Sequence, residues 1–144
     1  MTSPVLRSTL AALACAAALV FASPSMAAMV NLKADLKASN EVPPNDSKGS
    51  GSLTATYDDA SKKLSWKGSV SGLTGPATAA HFHAGESGKN GAVVIPIAGA
   101  DKGAFEGSAT LTDAQAADMM AGKWYVNIHT AANKAGEVRG QLAK

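Results

Sequence analysis

Hydrophobic and polar residues alternate along most of the chain. In residues 31–37, Leu32, Ala34 and Leu36 are separated by polar neighbours. In residues 52–57, Leu53, Ala55 and Tyr57 stand against Thr54 and Thr56, and in residues 64–70 Leu64, Trp66, Gly68 and Val70 stand against Ser65, Lys67 and Ser69. Successive side chains of a strand point to opposite faces of its sheet, so a period of two marks a half-buried antiparallel strand. Residues 79–83, 92–97, 104–111, 124–130 and 137–142 fit the same template. Turn-forming runs separate the strands: Pro43-Pro44-Asn45-Asp46, Asp58-Asp59-Ala60-Ser61 and Thr74-Gly75-Pro76.

One segment departs from this period. Thr112-Asp113-Ala114-Gln115 has the spacing of a capping box, an alanine-rich run with Met119 and Met120 follows, and Gly122 stands where a helix would stop. A short helix over residues 112–121 is expected. Eight short strands with one crossover helix predict an all-β fold: an antiparallel, Greek-key-like β-sandwich or a partly closed barrel. There is no internal repeat.

The N-terminus changes how the composition reads. Hydrophobic residues make up 46% of the 144, but residues 10–21 are an almost unbroken apolar run preceded by Arg7. Pro24 and small residues follow, with Ser25 and Ala27 at the spacing a signal peptidase recognises. This is the layout of a cleaved secretory signal peptide, residues 1–27. The run is too short for a membrane-spanning helix, which needs roughly 20 apolar residues. Residues 28–144 then form a single β domain, periplasmic or extracellular, without a transmembrane anchor. The only cysteine, Cys15, leaves with the peptide, so the mature chain has no thiol or disulfide. A formal net charge of +2 and 17% charged residues exclude a nucleic-acid-binding arm and a charged disordered tail.

The candidate chemistry lies on three strands. In Ala80-His81-Phe82-His83 a strand places both histidines on one face. In the segment from Trp124 to Thr130, Tyr125, Asn127 and His129 share one face, opposite Trp124, Val126 and Ile128. In the last strand Glu137, Arg139 and Gln141 share a face. If the three strands are neighbours, about 4.8 Å apart, their polar faces merge into one patch. His81, His83 and His129 could then ligate copper or zinc, with Glu86 as an extra oxygen donor or outer partner. Alternatively, the histidines only hydrogen-bond within the sheet. Glu137 and Arg139 read more readily as a structural ion pair than as a ligand clamp. Residues 85–91 read as a hairpin connection turning at Asn90-Gly91, and Trp66 and Trp124 as core. No nucleophile elbow and no glycosidase-type carboxylate pair is present.

The segments EVPP (residues 41–44), AHFHAGESGKNG (80–91), LT (111–112), GKWYVNIHT (122–130) and GEVRGQL (136–142) together resemble the CHRD domain, a module named after chordin. The likeness runs in order across almost all of residues 28–144. It implies an extracytoplasmic all-β domain without an assigned activity. HFHAGESG is also similar to the copper-binding His-x-His strand of Cu/Zn superoxide dismutases, and this likeness implies that His81 and His83 match two copper ligands. The bridging histidine, the zinc-site aspartate and the disulfide of that family are missing, which argues against dismutase activity. The expectation is a non-catalytic binding module using its His-bearing sheet face for an unknown protein, small-molecule or metal ligand. The alternative is a periplasmic copper- or zinc-binding protein.

Overall fold

A computed structural model describes residues 27–144. The expected signal peptide lies outside the described residues except for Ala27. Eight strands form: β1 (Met29–Lys37), β2 (Ser50–Asp58), β3 (Lys63–Ser71), β4 (Ala77–Ala84), β5 (Val93–Pro96), β6 (Ala104–Thr110), β7 (Trp124–Thr130) and β8 (Val138–Gln141). One helix, α1 (Asp113–Met120), lies between β6 and β7. All neighbouring strands are antiparallel, in the order β5-β4-β7-β8-β1-β2-β3-β6. The sheet is a single one that curls into a nearly closed barrel. The expected all-β antiparallel fold is adopted, with its two four-stranded halves joined between β1 and β8 at Lys37 and Arg139.

The alternation in sequence becomes the inside and outside of this sheet. Leu32, Leu36, Leu53, Tyr57, Leu64, Trp66, Phe82, Trp124, Val126, Ile128 and Val138 are buried in one core. Trp66 of β3 meets Phe82 of β4 edge to face across the interior, with ring centroids 5.1 Å apart. Large rings fit beside small neighbours. Gly107 is the β6 partner of Trp66, and Gly68 on β3 is the partner of Phe105. A Cβ at Gly107 would lie 2.6 Å from the Trp66 ring. This is why a core with few aromatics needs glycine inside its strands.

The helix forms as the sequence predicts. Gln115 N–H donates to the Thr112 hydroxyl (3.2 Å), and Thr112 N–H donates to Gln115 Oε1 (2.9 Å). The chain leaves the helix through Gly122 at φ +75°. Ala116 and Met119 are buried against the core.

The outer face of β4, β7 and β8 is not solvated. Residues 38–49 and 85–92 fold over it, and two buried charges hold these loops and the β3–β4 turn. Glu137 is fully buried. It accepts from the hydroxyls of Ser47 (2.5 Å), Thr130 (2.5 Å) and Thr74 (2.7 Å) and from Thr74 N–H (2.8 Å). Arg139 donates to Asn90 Oδ1 (3.1 Å) and to the carbonyls of Glu86 (3.1 Å) and Lys89 (2.7 Å). Glu137 and Arg139 do not pair with each other, contrary to the sequence expectation. They are two apart on one strand face, and each is turned to a different loop. The turn signal at Asn90-Gly91 is also used differently. Asn90 cross-links, its Nδ2 donating to the Val42 carbonyl (2.8 Å). The positive φ of this loop falls on Gly88.

Two predictions follow from this packing. Gly107→Ala presses a methyl group into the Trp66 ring and should lower stability by about 1–3 kcal/mol in urea titrations, as overpacked cores do; an unchanged midpoint refutes the tight fit. Burial alone would raise the Glu137 pKa, but hydrogen bonds from Ser47, Thr130 and Thr74 hold it down at about 2. That value is below the roughly 4.3 of an unfolded Glu, so the stabilisation is complete above about pH 5 and is lost as pH falls toward 2. Glu137→Gln should cost about 1–3 kcal/mol at neutral pH and flatten the decline in melting temperature between pH 5 and 2. A variant as acid-sensitive as the wild type would remove Glu137 from that role.

Candidate functional site

Pairing of β4 with β7 brings the three histidines together. The register sets His81 opposite Asn127, His83 opposite Tyr125 and Ala79 opposite His129, so all three imidazoles stand on the outer face. On the other flank of β4, the pairing with β5 shifts register between Phe82 and His83. One nitrogen from each of His81, His83 and His129 lies within 4.8 Å of the other two. The His81 and His129 ring centroids are 5.1 Å apart, and those of His81 and His83 are 5.4 Å apart. His83 is buried, while His81 and His129 are half-buried and open the cluster to solvent.

Hydrogen bonds fix which nitrogens carry protons. His129 Nδ1 is 2.9 Å from the Lys134 carbonyl, and His83 Nδ1 is 2.9 Å from the Gly91 carbonyl. A carbonyl only accepts, so both Nδ1 atoms are protonated. A neutral His129 then presents Nε2 as an acceptor, and His81 Nδ1 donates to it at 3.2 Å. His83 Nε2 is buried with no hydrogen-bond partner. Burial, followed by the neighbouring charges of His129 and His83, lowers the His81 pKa. Burial also lowers that of His83, against the contact with Gly91. Neutral imidazole with Nδ1–H on a backbone carbonyl and Nε2 free is the state that binds metal. Tetrahedral ligation at about 2.0–2.1 Å spaces donors roughly 3.4 Å apart, a spacing that His81 Nδ1 and His129 Nε2 already approach at 3.2 Å.

The other candidates from the sequence are placed around this cluster. Tyr125 is buried between β4 and β8. The His83 ring stacks on it at 4.8 Å and 6°, and the Arg139 guanidinium lies 3.4 Å from its centroid. Tyr125 Oη accepts from Gly91 N–H at 3.1 Å. Asn127, Glu137 and Arg139 are buried as well. The expected open polar face is thus largely roofed by loops, with His81, His129 and Gln141 left half-buried at its margins. Glu86 stands apart from the histidines, and its carboxylate contacts Lys89 at 3.3 Å on the surface.

Sequence reasoning missed Glu41. It is buried beside Arg139 and Asn127, and its Oε1 has no hydrogen-bond partner. Burial raises its pKa to about 7, against the pull of the Arg139 charge and of the Asn127 amide beside it. Its only signal was its place before Val42-Pro43-Pro44, which has no strand or helix period.

No helix among the described residues is long and apolar enough to cross a membrane. Among curated proteins, none matches the sequence. A scan against protein-family models matches the CHRD domain over residues 32–142, which takes in all three histidines, Glu41 and the loops that roof the outer face. This chain belongs to the CHRD domain family.

Proposed function

We propose that this protein is an exported, non-catalytic binding module whose ligand is a copper or zinc ion held by His81, His83 and His129. The observation that carries this reading is the convergence of the three imidazoles, with the Nδ1–H groups of His83 and His129 tied to the carbonyls of Gly91 and Lys134. Two rings are thereby pre-oriented with Nε2 toward the cluster, and an ion would displace the His81 Nδ1 proton that His129 Nε2 now accepts. Imidazole donors suit zinc and copper rather than calcium or magnesium, which take oxygen ligands. Export is supported by the N-terminal sequence and by the extracellular occurrence typical of CHRD domains. A role without turnover is supported by the surroundings of the histidines. The buried acid Glu137 is engaged by four hydrogen bonds that hold loops in place, and the Ser47, Thr74 and Thr130 hydroxyls it binds are turned inward to it.

Zinc or copper should raise the melting temperature, whereas calcium and magnesium should not. With free metal at 100 times its Kd, the stabilisation would be about 2.7 kcal/mol. Metal binding should weaken as acid protonates the imidazoles. Because the His81 and His83 pKa values lie below the ordinary one, the metal should persist to a lower pH than ordinary histidines would allow. His83→Ala and His129→Ala should each abolish the shift. A melting temperature indifferent to both metals, or equal shifts in wild type and His83→Ala, would refute the site.

A further inference from the structure

The three-histidine reading leaves the fourth coordination position unassigned, and two buried orphan atoms point to its occupant. His83 Nε2 and Asn127 Oδ1 are each buried without a hydrogen-bond partner. Both are acceptors, because His83 Nδ1 holds the ring proton and an amide oxygen cannot donate. The register sets Asn127 on β7 directly opposite His81 on β4, and the Asn127 amide also meets the ring of His83, two residues along β4. Two desolvated lone pairs in one cluster, each without a donor, are costly unless something positive sits near both.

The amide's other end is already taken. Asn127 Nδ2 donates to the Ala135 carbonyl at 3.4 Å. It also faces Glu41 across Gly136, since a Cβ built at Gly136 would be 2.4 Å from Glu41 Oε1 and 2.7 Å from Asn127 Nδ2. Gly136, at φ +135°, is the residue type that leaves this space open. With Nδ2 held on the β8 side, Oδ1 is left for the histidine side.

Building on the three-histidine reading, we infer that Asn127 Oδ1 is the fourth ligand of a closed zinc site with His81, His83 and His129. Three borderline imidazoles and one hard oxygen form a tetrahedral set that fits zinc(II). Cuprous ion would favour softer donors. A site closed by four protein ligands has no position for substrate, which matches a module that holds metal without turning anything over.

The test is zinc titration of the purified protein by calorimetry, repeated with Asn127→Leu, Asn127→Asp and His83→Ala. Cobalt(II) serves as a spectroscopic stand-in for zinc, and melts of the metal-free variants report folding. Asn127→Leu should weaken zinc by ~10-fold or more, at least the loss seen when an outer-shell partner is removed. Asn127→Asp, which swaps a neutral oxygen for a charged one, should tighten zinc and shift the cobalt spectrum. A misfolded variant could not produce that gain. If Leu and Asp leave both affinity and spectrum unchanged while His83→Ala abolishes binding, Asn127 is not a ligand and the three-histidine site stands. If the wild type takes up copper but not zinc, the choice of metal is wrong. If the wild type binds neither metal, or His83→Ala binds as well as wild type, the three-histidine reading falls and this inference falls with it.

Discussion

The Arg139 guanidinium governs the outer half of this molecule. It is buried, stacked on Tyr125, and bonded to the carbonyls of Glu86 and Lys89 and the side chain of Asn90. A buried cation is tolerable only when its donors are satisfied, and a planar fork with five N–H groups can satisfy them in a loop of carbonyls. The loop is held down as a result. Gly91 then lies where its N–H reaches Tyr125 Oη and its carbonyl reaches His83 Nδ1. The protonation pattern of the histidine cluster therefore depends on a charge that never touches it.

The inner and outer faces of the sheet follow different physics. Inside, small aliphatics and a few rings fill a curved sheet, and glycines opposite Trp66 and Phe105 make room for the rings. Outside, a second buried layer is built almost wholly from polar groups. Such a layer is stable only when nearly every member has a partner. Glu137 and Arg139 meet this condition by drawing in separate loops. The remaining orphans on this face are Glu41 Oε1, His83 Nε2, Asn127 Oδ1 and Gln141 Oε1.

The inner face was legible in the sequence because burial against a sheet imposes a period of two. Each expected strand formed, with ends moved by a few residues, and α1 followed from the Thr112–Gln115 spacing. The shared face of His81, His83 and His129 was readable for the same reason. The roof over that face was not. Periodicity says which side of a strand a residue occupies, but not whether a loop covers that side. Tyr125, Asn127 and Arg139 therefore look like an open polar patch when only their spacing is considered. Glu41 sits in the covering loop itself, where no period exists, and its burial depends on contacts with residues nearly a hundred positions away.

The two carbonyls that orient His83 and His129 belong to Gly91 and Lys134, and neither residue's side chain takes part. What sets the imidazole tautomers is the path of the main chain. The side chain at position 134 is free to vary as long as the turn after β7 keeps its shape. Position 91 has to stay glycine for an unrelated reason, since a Cβ there would strike the Ala84 carbonyl. In another member of the family, three histidines alone would thus be a weak sign of the same site. The same two backbone turns would be the stronger one.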